Sequence, residues 1–164
     1  MSEPHQNAFV IVREFSRPLA AVWKAWSDAG ELQQWWGPKG CTIDVHRLEF
    51  QPGGIFHYSM NFPGAPAMWG RFNYRDIVAP QRIVWLNSFS NEQGGITRAP
   101  FAEACPLEIE NTATFDGQGD RTTVTVRAVP FGATAAEVAF FQALKPSMVD
   151  GYGGTLDRLE AHLK

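Results

Sequence analysis

Between residues 41 and 129 the sequence reads as one strand after another, with no helical stretch between them. Segments 41–50, 54–61, 68–78, 81–90, 106–115 and 121–129 are each rich in β-branched and aromatic residues, often in alternation with polar ones. Turn signals separate most of them: Gln51-Pro52-Gly53-Gly54, Phe62-Pro63-Gly64-Ala65-Pro66, Ala79-Pro80 and Asp116-Gly117-Gln118-Gly119. Parallel neighbours need longer, usually helical, crossovers, so these six strands are expected to form an antiparallel meander. One connection, from about Asn91 to Cys105, is long and contains two glycines and Pro100; loops of that length in a compact domain are either binding loops or lids, or simple insertions.

The flanks have a different period. Residues 8–15 read as a first strand ending at Ser16-Arg17-Pro18, where Ser16 is a plausible N-cap and Pro18 suits a first helical turn. Leu19, Val22, Trp23 and Trp26 then recur at helical spacing. A second short helix starts near Asp28, carries Leu32, Trp35 and Trp36, and is stopped by Gly37-Pro38. From Thr134 to Lys164 the apolar residues Val138, Phe141, Leu144, Met148, Tyr152, Leu156, Leu159 and Leu163 mark a long helix, with Thr134 and Glu137 spaced for a capping box. Pro146, Gly151, Gly153 and Gly154 interrupt that pattern, and a kink or break is expected near Lys145-Pro146. The whole predicts an α+β chain of 164 residues forming one domain: a curved antiparallel sheet wrapped around a long C-terminal helix, with two short helices after the first strand.

A curved sheet closed by a single helix encloses a volume that side chains must fill. Alternation gives the inward set as Phe56, Tyr58 and Met60; Met68, Gly70, Phe72 and Tyr74; Ile83, Trp85, Asn87 and Phe89; Leu107, Ile109, Asn111, Ala113 and Phe115; then Val124, Val126 and Ala128. The alternates His57, Ser59, Arg71, Asn73, Arg75 and Asp76 are assigned to a wet outer face. An unfilled hollow of about 300 Å³ would cost roughly 7 kcal/mol, comparable to a domain's whole stability, so side chains, water or a ligand must occupy it. The expected ligand-binding residues are Trp36, Phe56, Tyr58, Met60, Phe72, Tyr74, Trp85, Asn87, Phe89, Phe141, Met148 and Tyr152.

Charge and composition narrow the function classes. The net charge is −3 with no run of Lys or Arg, so no nucleic-acid partner is expected. Aromatics make up 13% of residues, which excludes ordinary disorder. Residues 1–7 offer neither a charged nor an apolar signal region, and the longest apolar runs are far below the ~20 residues of a membrane span; a cytoplasmic location is expected. Cys41 and Cys105 form no CxxC pair and are expected to be reduced; no metal and no cofactor is expected. The histidines are His5, His46, His57 and His162. His57 is assigned outward, His46 is left open, and the others are near the termini. Tyr58, Tyr74, Asn87 and Glu49 could orient or protonate a carbonyl, but no nucleophile–base constellation emerges and no catalytic residue is assigned.

Several motifs resemble those of a known family. Pro18-Leu19-Ala20-Ala21-Val22-Trp23-Lys24-Ala25-Trp26 is similar to its P-x-x-x-V-W-x-A-W helix, Trp35-Trp36-Gly37-Pro38 to its W-W-G-P turn, and Gly53-Gly54-Ile55-Phe56 to its G-G-x-F hairpin. Gly70-Arg71-Phe72, Pro80-Gln81-Arg82-Ile83-Val84-Trp85 and Gly151-Tyr152-Gly153-Gly154-Thr155-Leu156-Asp157-Arg158-Leu159 resemble later motifs. Together they resemble the Bet v 1-like, START-related (SRPBCC) superfamily, with its helix-grip fold, and within it the branch named after the activator of the heat-shock-protein-90 ATPase. Two departures stand out. The branch's D-x-R-x-G-G becomes Glu49-Phe50-Gln51-Pro52-Gly53-Gly54, which removes the Arg of an expected ion pair, and the 91–105 loop has no fixed counterpart. The resemblance implies a carrier or sensor of a small hydrophobic or aromatic molecule. The alternatives are a cyclase- or dehydratase-type enzyme on a polyketide-like substrate, and a co-chaperone-like interaction module, although this chain has no room for the extra chaperone-binding domain of such relatives. The many aromatics also permit a homodimer.

Overall fold

The computed structural model describes residues 8–99 and 103–164; His5 and Pro100, named above, and the N-terminal residues 1–7 lie outside them. The chain runs β1 (Phe9–Phe15), α1 (Leu19–Ser27), α2 (Ala29–Trp35), β2 (Thr42–Leu48), β3 (Ile55–Asn61), β4 (Met68–Val78), β5 (Arg82–Ser90), β6 (Ile96–Thr97), β7 (Glu108–Gln118), β8 (Arg121–Phe131) and α3 (Ala135–His162). The strands form one open antiparallel sheet in the order β1-β8-β7-β5-β4-β3-β2, with β6 paired to β5 beside that path. The meander read from the sequence is therefore present, with β1 added beside β8. The short β6, Ile96-Thr97, lies inside the long connection expected from about Asn91 to Cys105.

Helix ends follow side-chain chemistry. Ser16 does not cap α1. Pro18 occupies the N-cap position without a side-chain bond, and its carbonyl accepts from the Ala21 and Val22 N–H groups at 3.0 and 3.2 Å. Asp28 caps α2 by accepting from the Glu31 N–H at 3.1 Å. The capping box of α3 is formed: Thr134 Oγ1 accepts from Glu137 N at 3.1 Å, and Glu137 Oε1 from Thr134 N at 2.9 Å. The expected break at Pro146 is absent, since α3 runs unbroken from Ala135 to His162. Tertiary contacts along its second half hold it: Thr155 Oγ1 donates to the Gly37 carbonyl at 3.0 Å, Arg13 reaches Asp157 at 2.9 Å, and His162 lies 2.7 Å from Glu31. Packing of this kind outweighs local propensity.

The Trp35-Trp36-Gly37-Pro38 turn is clamped from α3. Arg158 Nη1 donates to the carbonyls of Trp36, Gly37 and Pro38 at 3.3, 3.1 and 2.8 Å. The Gly53-Gly54 hairpin depends on close backbone approach: a Cβ on Gly54 would sit 2.0 Å from the Glu49 carbonyl oxygen. Glu49, which lacks the Arg of the related motif, pairs instead with Arg47 through both carboxylate oxygens at 2.9 Å and accepts from Ile55 N at 3.3 Å. Arg47 holds its carboxyl below the usual carboxylate range.

Candidate ligand cavity

The concave face of the sheet is divided. Towards α1 and α2 it is packed solid: Phe56, Phe72, Tyr74, Ile83, Trp85, Ala113 and Phe115 are buried against Val22, Trp26 and Trp35. The rings interlock, with Phe72 stacked on Trp85 at 4.8 Å and Trp26 set edge-on to Phe115 at 5.5 Å. Each buried aromatic of this kind contributes on the order of 1.5–3 kcal/mol. Further along the same strands the packing opens into a hollow of about 410 Å³ between the sheet and α3.

Four strands, α3 and the connections beside them supply its wall. Trp36, Gly37 and Pro38 come from the turn after α2, Tyr58 and Met60 from β3, and Met68 and Gly70 from β4. Asn87, Ser88 and Phe89 come from β5, and Ile109 from β7. Leu144, Ser147, Met148, Gly151, Tyr152 and Thr155 form a stripe along α3, and Phe62, Cys105, Pro106 and Leu107 close the rim. Of the residues expected from the sequence, Trp36, Tyr58, Met60, Asn87, Phe89, Met148 and Tyr152 come together here. Phe56, Phe72, Tyr74 and Trp85 do not: they belong to the packed end of the same concave face. Phe141 lies elsewhere again, packed with Phe9 and Ala128 under the first turns of α3. Alternation assigns a side chain to a face, but not to the filled or the open end of it.

The wall is mostly apolar, and its polar atoms are few. Tyr152 Oη donates to Asn111 Oδ1 at 2.7 Å, and Asn111 Nδ2 donates to the Ile109 carbonyl at 3.2 Å. Asn87 Nδ2 donates to the Arg71 carbonyl at 3.0 Å and lies 3.5 Å from Tyr58 Oη. Burial raises both phenols, Tyr58 and Tyr152, above the ordinary tyrosine value, so both are neutral. Burial likewise raises the Cys105 thiol, against a smaller opposing effect of Arg98. Arg98 pairs with Glu137 and donates to the Cys105 carbonyl at 3.3 Å, which ties the long connection to the start of α3. Of the rim, Cys105 lies in the long connection, which has no periodic signal, whereas Pro106 opens the strand expected over 106–115 and Leu107 belongs to its inward set; Leu144, Ser147, Met148, Gly151 and Thr155 follow the three- and four-residue steps already visible in α3.

The outer face departs from expectation. His57 and Ser59, assigned to solvent, are buried. The turn 91–95 folds over them: His57 Nε2 meets the Asn91 carbonyl at 3.1 Å, and Arg71 donates to the Gly94 carbonyl at 2.8 Å. His57 stacks on Trp69 at 5.2 Å, and His46, placed on this same outer face, contacts Ser59 Oγ at 3.0 Å. Neither His46 nor Glu49 lines the hollow. Among the described residues no group of three or more His, Cys, Asp or Glu is placed to hold a metal, and no helix is long and apolar enough to cross a membrane.

Known structures share this architecture. A protein from Arthrobacter aurescens is 25% identical with a TM-score of 0.80, over 99% of this chain and 89% of its own. Protein Ms6760 from Mycobacterium smegmatis is 22% identical with a TM-score of 0.77, over 100% and 94%. An AHSA1 protein from Silicibacter pomeroyi is 16% identical with a TM-score of 0.71, over 95% and 96%. No match was found among curated proteins. The family described as "Activator of Hsp90 ATPase homolog 1-like protein" matches residues 16–164, and the chain belongs to that family.

Proposed function

We propose that the protein binds a small hydrophobic or aromatic molecule between the sheet and α3 and acts as its carrier or sensor. The observation that carries this reading is the hollow of about 410 Å³, within the ~300–1,000 Å³ range of small-molecule sites and walled by apolar side chains with a few polar atoms among them. The contacting side chains are Trp36, Tyr58, Met60, Asn87, Phe89, Met148 and Tyr152. Family membership supports a ligand-binding fold in general.

Thermal-shift and native mass-spectrometric screens across lipids, flavonoids and polyketides test the reading. At least one class is expected to raise the melting temperature and to travel with the protein as a one-to-one complex. Ile109→Trp, which fills the hollow, is expected to abolish that stabilisation while the ligand-free protein stays folded. Absence of stabilisation by every class would overturn the proposal.

A further inference from the structure

Two phenols border the cavity, and only one has a proton to give. The Tyr152 hydroxyl is committed to Asn111 Oδ1 at 2.7 Å, and Asn111 is itself buried and bonded onward to the Ile109 carbonyl. The Tyr58 oxygen, in contrast, only receives: Asn87 Nδ2 approaches it at 3.5 Å, and the Trp36 ring stands edge-on beside the Tyr58 ring with centroids 6.4 Å apart. Among the described residues no acceptor takes the Tyr58 proton. The side chain is 3% exposed, and a buried donor without a partner is costly.

The strand opposite is built around this hydroxyl. Gly70 is the cross-strand partner of Tyr58, and a Cβ there would lie 2.6 Å from both the Tyr58 Cζ and Oη atoms. Only a residue without a side chain leaves the phenol its place. Gly70, Asn87 and Trp36 all line the cavity, so the hydroxyl sits at its wall. Among the described residues no Lys, Arg or His belongs to that wall, and Arg158 is already bonded to the carbonyls behind Trp36, Gly37 and Pro38. A carboxylate placed here would be a buried, unpaired charge.

We infer that the ligand is an uncharged molecule that presents a hydrogen-bond acceptor, a ketone- or ester-type oxygen, to the Tyr58 hydroxyl. This rests on the cavity reading above and adds the polarity of the ligand to it.

Three probes of matched shape separate the two claims by calorimetry: 2-benzoylnaphthalene, the hydrocarbon 2-benzylnaphthalene, and 4-(2-naphthylmethyl)benzoate. The ketone is expected to bind about five- to tenfold tighter than the hydrocarbon, and the carboxylate at least about tenfold weaker than the ketone. Tyr58→Phe is expected to erase the preference for the ketone, so that ketone and hydrocarbon bind alike, while Tyr152→Phe keeps the preference. Without any variant, the infrared carbonyl band of the bound ketone is expected to move to lower wavenumber than in hexane. Equal binding of ketone and hydrocarbon, a preference that survives Tyr58→Phe, an unshifted band, or tight carboxylate binding each overturns this inference and leaves the cavity reading standing. Failure of all three probes to bind overturns both.

Discussion

The two faces of β3 and β4 are buried by opposite means. On the concave face Tyr58, Met60, Met68 and Gly70 border an apolar hollow that the chain leaves open. On the outer face, one residue out of step, the turn 91–95 covers His57 and Arg71, which meet its carbonyls, while Ser59 Oγ lies 3.0 Å from His46 Nε2. The outer face is covered with its hydrogen bonds made, as burial of polar groups requires. The concave face keeps volume in reserve and one hydroxyl proton without an acceptor. On these two strands, then, the covered face is the one whose polar groups are bonded; in the packed core beyond them the buried Trp26 and Trp85 indole N–H groups have no partner among the described residues.

The packed and open ends of the concave face are expected to respond differently to truncation. Phe72→Ala, at the packed end, is expected to cost about 3–5 kcal/mol in denaturant unfolding, because the cavity it leaves is sealed by Trp36, Phe56 and Trp85. Met148→Ala, at the open end, is expected to cost under about 2 kcal/mol, since that side chain already faces a hollow. Equal losses would show that the two ends are packed alike.

The outer face is the next place to press. His57→Phe keeps a ring against Trp69 but removes one of three contacts to the Asn91 carbonyl, which also accepts from Gly94 N and Ser90 Oγ, and is expected to cost about 1 kcal/mol. Burial holds the His57 imidazole below its ordinary value, helped by the nearby charges of His46, Arg71 and Arg47 and opposed by its bond to Asn91. The unfolded chain therefore takes up this proton first as pH falls. The contribution is fully present above the free imidazole value of about 6.5 and is lost as pH drops through the lower folded value. Unfolding midpoints measured from pH 8 to pH 5 are expected to fall less steeply in His57→Phe than in the parent chain.

The smallest effect is expected where the outer face is open. Arg82 and Asp76 pair at 2.7 Å, but both are about half exposed. Arg82→Gln is expected to change stability by less than about 0.5 kcal/mol, and the same experiment in high salt is expected to show no difference at all. A larger loss would mean that the covered region reaches beyond the turn 91–95.

Much of the fold was legible because its signals are local. Residues 68–78 form the strand predicted for them, and Thr134 and Glu137 cap the helix as their spacing implied. The errors share a cause in tertiary structure. Nothing near His57 in sequence announces that a turn beginning 34 residues later will cover it. Pro146 breaks a helix that stands alone, whereas α3 is fastened along its second half by Arg13, Gly37 and Glu31. At the cavity, the inward-facing strand residues were recognised together, but where α1 and α2 stop filling the concave face depends on how deep Trp26 and Trp35 reach. That depth is set by the whole core. The opposition of Tyr58 and Gly70 is similar: it requires the β3–β4 register, which fixes who faces whom across the sheet.

The tryptophans of this core have an optical consequence. Trp26 lies 4.9 Å from Trp35, 6.4 Å from Trp36 and 6.0 Å from Trp85, so the four indoles form one connected group. Only Trp36 among them borders the cavity. At such spacings excitation absorbed by any of the indoles migrates among all of them, and a chromophore seated against Trp36 drains the emission of the group. The chain thus carries its own fluorophore antenna, with Trp36 the member of the group that reaches the wall of the hollow.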